Sequence, residues 1–173
     1  MCGIAGSLGL AAPDAHRIET ALASLGRRGP DADGHRVLGL GANGQQAALL
    51  HTRLSIIDLD PRANQPFERD GLVLTYNGEI YNYLELKAEL ESLGHRFETT
   101  SDTEVLLAAW RQWGPDALDR MEGMWAFAIA DQRAGTLTLC RDRFGEKPLY
   151  LWPKDGTLYF ASEVKALAAL AGA

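Results

Sequence analysis

The sequence predicts an α+β fold in which two mainly antiparallel β-sheets are stacked on each other and helices lie outside them. The segment MWAFAIAD, residues 124–131, has no polar alternation, which predicts a strand that is covered on both faces. Strand-like and amphipathic helical segments occur towards both ends of the chain, so they can supply several layers. No internal repeat, low-complexity tract or linker divides the sequence, and a single domain over residues 1–173 is predicted.

The first half of the chain predicts a strand, a helix and a hairpin. CGIAGSLGL is small and apolar, as in a buried strand. PDAHRIETALASLG places apolar residues on one helical face and ends at Gly26, a typical helix stop. HRVLGL and QQAALLHTRLSIIDL read as two strands on either side of the turn GANG. VLTYNG then predicts a short strand that ends in a turn at Asn77-Gly78.

The second half predicts two helices, a run of hairpin-linked strands and a last helix. IYNYLELKAELESLG is amphipathic, with Leu86, Leu90 and Leu93 on its apolar face and Gly94 as its stop. RFETTSDTEVLLAAWRQWG reads as a strand and then a helix, with Ser101 and Glu104 at capping-box spacing. Strands are predicted for MWAFAIAD, TLTLCRD, PLYLW and TLYFA, and a helix for SEVKALAAL.

Composition and charge limit the classes of protein that fit. A chain of 173 residues with 46% hydrophobic and 23% charged residues is typical of one soluble globular domain. The net charge of -6 argues against nucleic acid and anionic membrane surfaces as partners. No segment approaches the roughly 20 apolar residues of a membrane helix, and the N-terminus lacks the features of a signal peptide. A cytoplasmic protein is expected.

The two cysteines, Cys2 and Cys140, show neither a CxxC motif nor zinc-ligand spacing, so no disulfide framework and no metal site are predicted. Cys2 is nevertheless unusual, because a thiol so close to a chain end is open to oxidation. Removal of Met1 would place its thiol beside its own α-amino group, whose ordinary pKa is about 7.7–8.0. Such an amine is a known general base for a nucleophile. The alternative is a small apolar residue in an early first strand.

Three other positions combine with Cys2 into one chemistry. Taken singly, Arg53 fits a strand edge, Asn77-Gly78 a tight turn, and Asp102 the dipole of a helix N-terminus. Taken together, Asn77-Gly78 offers a side-chain NH2 and a backbone N–H to an oxyanion formed when a thiolate attacks a carboxamide. Arg53 suits the carboxylate of an α-amino acid and Asp102 suits its ammonium group.

Several ordered blocks resemble glutamine-hydrolysing asparagine synthetases. They are MCGIAG, RRGPD, HTRLSIIDL, QPF, TYNGEIYNYLELKAEL, GHRFETTSDTEVLLAAW, MEGMWAFAIAD, CRDRFGEKPLYLW and FASEVKAL. They cover nearly the whole chain, which is similar to the N-terminal class II glutamine amidotransferase domain of that family or of a close relative. The resemblance implies the N-terminal-nucleophile hydrolase fold, a four-layer αββα sandwich, in agreement with the layers predicted above.

The resemblance also implies a role for each matching residue. Cys2 is the expected nucleophile with its freed α-amine as proton acceptor, and Asn77 with Gly78 forms the oxyanion hole. Arg53 is expected to hold the glutamine carboxylate. The remaining glutamine-binding positions are Glu79 and Asp102 on the ammonium side and the predicted strand Leu54 to Ile57, which includes Ile56, along the substrate. RRGPD resembles a mobile loop, so Arg28 or Asp31 is expected to belong to a lid.

The implied reaction is hydrolysis of glutamine to glutamate and ammonia through a γ-glutamyl thioester. Neither a P-loop GxxxxGK[ST] nor an SGGxDS-type pyrophosphate loop occurs, so the chain is expected to be the glutaminase part of a longer protein. No cofactor is expected here, whereas ATP and magnesium are expected for the C-terminal synthetase domain. The expected partners are glutamine and that domain, with a homodimer left open.

The acceptor of the ammonia stays open at this point. SDTEVLLAAW and RDRFGEKPLY favour the asparagine synthetase branch, in which aspartate is amidated. That branch also includes relatives that amidate sugars, peptides or polysaccharide precursors. A further alternative is an inactive scaffold domain, but the loss of Cys2 would be its signature and Cys2 is present.

Overall fold

Nine strands form two antiparallel sheets, and two helices cover the outer face of each sheet in a computed structural model that describes residues 1–173. The strands of the first sheet are β1 Gly3–Gly9, β2 Ala32–Leu40, β3 Gln45–Arg53, β8 Tyr150–Lys154 and β9 Thr157–Ala161. Those of the second are β4 Phe67–Arg69, β5 Leu72–Ile80, β6 Gly123–Asp131 and β7 Thr136–Arg141. The strand orders are β2-β3-β1-β9-β8 and β4-β5-β6-β7.

The helices complete four layers. They are α1 Ala15–Leu25, α2 Tyr83–Ser92, α3 Asp102–Trp113 and α4 Val164–Ala171, with single 3₁₀ segments at Pro61–Ala63 and Gly114–Asp119. Helices α1 and α4 pack on the first sheet, and α2 and α3 pack on the second. A separate cluster of buried side chains fills the space between the two sheets and includes Leu49, Val73 and Phe160. The predicted αββα sandwich is therefore confirmed. None of the helices has both the length and the apolar character needed to span a membrane.

Strand β6 shows why MWAFAIAD lacks polar alternation. Phe127 and Ile129 point to the helices α2 and α3, whereas Ala128 and Ala130 point into the layer between the sheets. All four are buried. The prediction of a strand covered on both faces is confirmed.

Two glycines end helices as predicted, but by different geometries. Helix α1 ends before Gly26, whose φ of -55° is right-handed and needs no glycine. After α2 the chain turns at Gly94 with φ +95°, a conformation that favours glycine. The predicted apolar face of α2 buries Leu86 and Leu90, while Leu93 is 51% exposed.

The second hairpin strand is shorter than predicted. β3 ends at Arg53, which pairs with Ala32, the first residue of β2. On its other side, β1 begins at Gly3, opposite Thr52. No neighbouring backbone is left to extend the ladder, so Leu54 to Ile57 is irregular and the predicted strand there is wrong. Arg53 accordingly ends a strand instead of lying within one.

The predicted turn at Asn77-Gly78 is also wrong. Both residues lie within β5 and pair with Ala126 and Trp125 of β6. Gly78 instead allows the backbone of β6 to lie close to β5, because a Cβ at this position would lie 2.3 Å from the carbonyl oxygen of Met124.

The start of α3 differs from a capping box. Ser101 caps the helix and accepts from the Thr103 amide at 3.0 Å. Glu104 accepts from the amides of Glu98 and Thr99 and pairs with Arg69, so it does not return to Ser101. Because these two amides donate to the Glu104 carboxylate, they cannot pair with a neighbouring strand. RFETT therefore forms an irregular segment in place of the predicted strand.

The C-terminal strands form two hairpins in different sheets. β6 pairs with β7 in the second sheet, and β8 pairs with β9 in the first. The connection between β7 and β8 crosses from one sheet to the other, so the four segments are not one continuous hairpin run.

Candidate active site

A cavity of about 140 Å³ lies where the layer between the sheets opens at one end. The residue before β1, the end of β3, the middle of β5 and the first turn of α3 meet there. Its walls are formed by Met1, Cys2, Arg53, Leu54, Ile56, Ile57, Ala63, Gln65, Tyr76, Asn77, Gly78, Glu79, Ser101, Asp102, Thr103, Met124 and Lys147. All the residues predicted for catalysis or glutamine binding are in this set.

Cys2 is half-buried, and its sulfur is the only thiol in the cavity. Its Sγ lies 3.5 Å from the Leu54 amide nitrogen and 3.7 Å from the Leu54 carbonyl oxygen. Burial raises the pKa of the thiol, and the Leu54 amide, the N-terminal ammonium group and Arg53 oppose that shift. Because burial prevails, the thiol depends on a base to become a nucleophile.

Arg53 is a buried cation without a carboxylate partner. It is 5% exposed, and its Nη1 donates to the carbonyl of Asp60 at 3.1 Å and to Asn64 Oδ1 at 2.6 Å. Its Nη2 donates to the carbonyl of Asp58. These acceptors are all neutral and come from the irregular chain that follows β3, which curves around the guanidinium group.

Asn77 and Gly78 supply hydrogen-bond donors that have no acceptor. Asn77 is 1% exposed and its Nδ2 has no partner. The Tyr76 amide donates to Gln65 Oε1, and the Ile80 amide donates to Asp102 Oδ2. Since alternate amides in a strand point to the same side, the Gly78 amide points to this edge, between two amides that are already bonded.

Asp102 is a buried carboxylate without a cation partner. It is 6% exposed and accepts from the Tyr76 hydroxyl at 2.9 Å and from the Ile80 amide at 3.2 Å. Burial raises the pKa of this carboxyl, while the Tyr76 hydroxyl opposes the shift. The second acidic residue of the cavity, Glu79, is exposed. The cavity therefore presents two carboxylates that can bind an amine, one buried and one exposed.

Contacts between the sheets hold these groups in place. His51 is fully buried, which lowers its pKa to about 3, so the imidazole is neutral. Its Nε2 donates to the carbonyl of Tyr76 at 3.1 Å. Thr75 donates to the carbonyl of Leu50 at 3.0 Å. The strand that carries Arg53 is thus bonded to the strand that carries Asn77.

The two residues predicted for a lid lie outside the cavity wall. Arg28 Nε donates to the carbonyl of Cys2 at 2.9 Å, and its Nη1 lies 3.4 Å from Glu163. Asp31 accepts from the Ser55 amide at 2.7 Å. In this structure RRGPD is hydrogen-bonded to Cys2 and to the chain after β3, and its role as a lid stays a prediction.

Leu54, Ile56 and Ile57 line the cavity as predicted, although not as a strand. Ile56 is 74% exposed. Sequence reasoning assigned no role to Gln65, Tyr76 and Lys147. Gln65 and Tyr76 fall within the quoted QPF and TYNGE blocks, but nothing in the sequence indicates that Gln65 would bond to the β5 backbone.

The cavity therefore combines a thiol, unpaired N–H donors, a cation and a carboxylate. A carboxamide carbon placed next to the thiol can be attacked, and its oxygen then meets the free donors. The cation and the carboxylate suit the two charges of an α-amino acid. An αββα sandwich with a cysteine before its first central strand is the arrangement expected of amide-cleaving N-terminal-nucleophile enzymes.

Comparison with known families agrees. A family model described as a glutamine amidotransferase domain matches residues 1–173, so the chain belongs to this family. The fold resembles that of a glutamine phosphoribosylpyrophosphate amidotransferase from B. subtilis, with a TM-score of 0.79 and 25% identity over 98% of this chain and 44% of that one. The prediction of a class II glutamine amidotransferase domain is confirmed.

The similar sequences include asparagine synthetases. Asparagine synthetase [glutamine-hydrolyzing] 2 of Oryza sativa subsp. japonica is 40% identical over 96% of this chain and 28% of its own length. Asparagine synthetase [glutamine-hydrolyzing] 1 of Bacillus subtilis is 43% identical over 81% of this chain and 21% of its own length. Amidase chry2 of Gibberella zeae is 36% identical over 88% and 22%. The chain thus spans less than a third of these relatives.

Proposed function

We propose that this domain hydrolyses glutamine to glutamate and ammonia through a thioester on Cys2, and that the ammonia serves an asparagine synthetase-type amidation of aspartate. The observation that supports the proposal is the set of unpaired polar groups around one thiol. Asn77 Nδ2 has no acceptor, Arg53 has no carboxylate and Asp102 has no cation. Glutamine supplies all three missing partners.

Binding places the side-chain amide near Cys2. The α-carboxylate of glutamine pairs with Arg53, and its ammonium group pairs with Asp102 and Glu79. Arg53 is already fixed by the carbonyls of Asp58 and Asp60, so little side-chain freedom is lost on binding. Cys2 Sγ then attacks the amide carbon, whose π electrons move to the oxygen.

The proton of the thiol goes to the α-amine that is freed when Met1 is removed. Burial keeps the Cys2 thiol mostly protonated, so a base within the same residue is needed to accept the thiol proton. Asn77 Nδ2 and the Gly78 amide donate to the oxyanion. The amine then protonates the leaving nitrogen, the C–N bond breaks and ammonia departs. Water attacks the thioester, which releases glutamate and restores the thiol.

The acceptor is proposed from the relatives alone. The rice and B. subtilis relatives are named asparagine synthetases, and this chain covers 28% and 21% of them. We assign ATP, magnesium and aspartate to a synthetase domain outside this chain. An acceptor other than aspartate is the second candidate, since a protein named an amidase is also similar.

The experiment compares chains that begin at Cys2 with chains that retain Met1 or carry an N-terminal extension. Glutamate release is measured, and mass analysis establishes each N-terminus. We expect the extended chains to be slower by roughly 10²–10⁴-fold, because the α-amine has become an amide and is no longer a base. Full activity in a chain shown to keep Met1 would refute the proposed base.

Two variants serve as controls in the same assay. Cys2→Ala is expected to release no glutamate, whereas Cys140→Ala, which lies outside the cavity, is expected to keep its activity. A domain that binds glutamine without Cys2-dependent release would instead be an inactive scaffold. Adding aspartate, ATP and magnesium to the whole protein and measuring asparagine tests the acceptor separately.

A further inference from the structure

Lys147 is a buried lysine that lines the cavity of Cys2 and has no part in the mechanism above. It is 5% exposed, whereas lysines are rarely buried unless they are paired. None of the ion pairs in the structure includes it. The one polar side-chain atom that contacts its Nζ is Met1 Sδ, at 3.3 Å, and a thioether sulfur is a weak acceptor. An unpaired buried ammonium group does not stabilise the fold, so folding alone does not explain a lysine at this position.

The backbone around Lys147 is fixed on both sides. Its amide donates to Asp142 Oδ2 at 3.0 Å, and its carbonyl accepts from Arg141 Nε at 2.8 Å. Asp142 also accepts from the amides of Phe144 and Glu146, which closes the turn in front of the lysine. The backbone of Lys147 is therefore fixed by a hydrogen-bonded turn, and its side chain is buried and not free on the surface.

The contact with Met1 places this charge beside the side chain of the residue that precedes Cys2, in the cavity that Cys2 also lines. Met1 is bonded to the nitrogen of Cys2, and removal of Met1 turns that nitrogen into the α-amine. The atom that occupies the space beside Lys147 Nζ is lost in the same step. Lys147 and the new α-amine would then border the same cavity, without the Met1 side chain between them and solvent.

Charges of both signs face Cys2 from the surrounding elements. Arg53 at the end of β3 and Arg28 after α1 are positive. Asp102 on α3 and Glu79 on β5 are negative and favour a protonated amine. An additional buried cation opposes the two carboxylates, because a positive charge disfavours a second one nearby.

We propose that Lys147 is a positioning cation that holds the freed α-amine of Cys2 in its neutral, proton-accepting form. This inference rests on the proposed function, since it assumes that the amine is the base. It assigns to Lys147 a role in setting the pH range of glutamine hydrolysis, with no contact to glutamine itself.

The test is the pH dependence of kcat/KM for glutamate release by chains whose N-terminus is shown to be Cys2. Lys147→Met removes the charge and keeps the length of the side chain. We expect its acidic limb to move to higher pH by about one unit or more, because a charge within about 12 Å at an effective dielectric constant of about 20 shifts a pKa by at least that much. Lys147→Arg keeps the charge and is expected to keep the wild-type limb.

Lys165→Met is the matched control, because it removes the same charge from an exposed position on α4. We expect an unchanged profile. At the plateau of the profile, KM for glutamine in Lys147→Met should change less than about twofold, since no contact to glutamine is lost. A folded and processed Lys147→Met chain with the wild-type limb would overturn the inference, and so would a raised KM with an unmoved limb.

If Lys147→Met does not fold, Lys147→Gln is measured in its place and the same two outcomes decide. The wild-type chain separates this inference from the proposed function. Absence of glutamate release that depends on Cys2 refutes the proposed function. An active wild-type chain whose limb is insensitive to Lys147 refutes the inference alone.

Discussion

The groove beside α3 is completed by the turn between β4 and β5 and by the chain after α2. It is larger than the cavity at Cys2, but its arginines are paired or exposed. It measures about 410 Å³ against about 140 Å³. Arg69 pairs with Glu104 and Arg111 pairs with Asp70, and Arg96 is exposed to solvent. In the cavity at Cys2, the buried Arg53 and Asp102 lack partners of opposite charge. Unpaired buried charges of opposite sign therefore distinguish the candidate site better than volume does.

The first turn of α3 shows the same contrast within three residues. Glu104 is 1% exposed, pairs with Arg69 and accepts from Thr99 through both its amide and its hydroxyl. Asp102 is 6% exposed and accepts only from Tyr76 and Ile80, both neutral. One carboxylate is saturated by the protein, and the other is available to a ligand.

The largest effect is expected from the unpaired amide. Asn77→Ala removes a donor that has no acceptor in the structure and that we assign to the oxyanion, so we expect kcat to fall by roughly 10²–10³-fold with a smaller change in KM. Asn77→Asp keeps the size and places a negative charge beside the oxyanion, and it should lose at least as much. Steady-state glutamate release measures both. An Asn77→Ala enzyme with unchanged kcat would remove this residue from the oxyanion hole.

The next effect separates the two carboxylates of α3. Asp102→Asn retains an acceptor for Tyr76 and Ile80 but loses the charge, so we expect KM for glutamine to rise by about tenfold to hundredfold. Glu104→Gln is the matched control. It should lower the free energy of unfolding because Arg69 loses its partner, with KM unchanged. Equal effects of the two variants on KM would contradict the contrast drawn between them.

Arg53 is expected to show a mixed effect. Arg53→Lys keeps the charge but cannot reach the carbonyls of Asp58 and Asp60 and a substrate carboxylate together. We therefore expect a raised KM, together with a lower midpoint of thermal unfolding because the chain after β3 loses its anchor. An unchanged KM would exclude Arg53 from substrate binding.

The smallest effect is expected in the groove beside α3. Arg111→Ala breaks a surface pair with Asp70, in which Arg111 is 52% exposed. We expect at most about 1 kcal/mol of lost stability and kcat/KM within about twofold of wild type. A tenfold loss of activity would show that this groove, despite its paired charges, takes part in the reaction.

Much of the fold could be predicted because buried strands and helices leave a recognisable pattern of apolar residues in the sequence. The uninterrupted apolar run of β6 indicates layers on both sides, and the structure confirms them. Asn77-Gly78 was misread because the same dipeptide suits a tight turn and a strand that another backbone approaches closely. Only the position of Met124, which is distant in sequence, distinguishes the two.

The surroundings of the site were harder to predict. The sequence predicts a strand that runs through Arg53, because its apolar neighbours continue to Ile57, whereas the ladder ends where β1 and β2 begin. Lys147 gave no signal, since its burial depends on a turn closed by Asp142. Residue types in a motif predict which groups react, and the contacts that orient them depend on tertiary structure.

The most direct test of the central claim is alkylation by an electrophilic glutamine analogue, followed by peptide mapping. Cys2 and Cys140 are both half-buried, and burial raises the pKa of both thiols, so acidity and exposure alone do not favour either. Selectivity must come from the amino-acid end of the analogue, which Arg53 and Asp102 would bind. We predict that Cys2 is modified, that Cys140 is not, and that excess glutamine protects Cys2. Modification of Cys140 without Cys2, or labelling that glutamine does not slow, would contradict the assignment of this cavity as the glutaminase site.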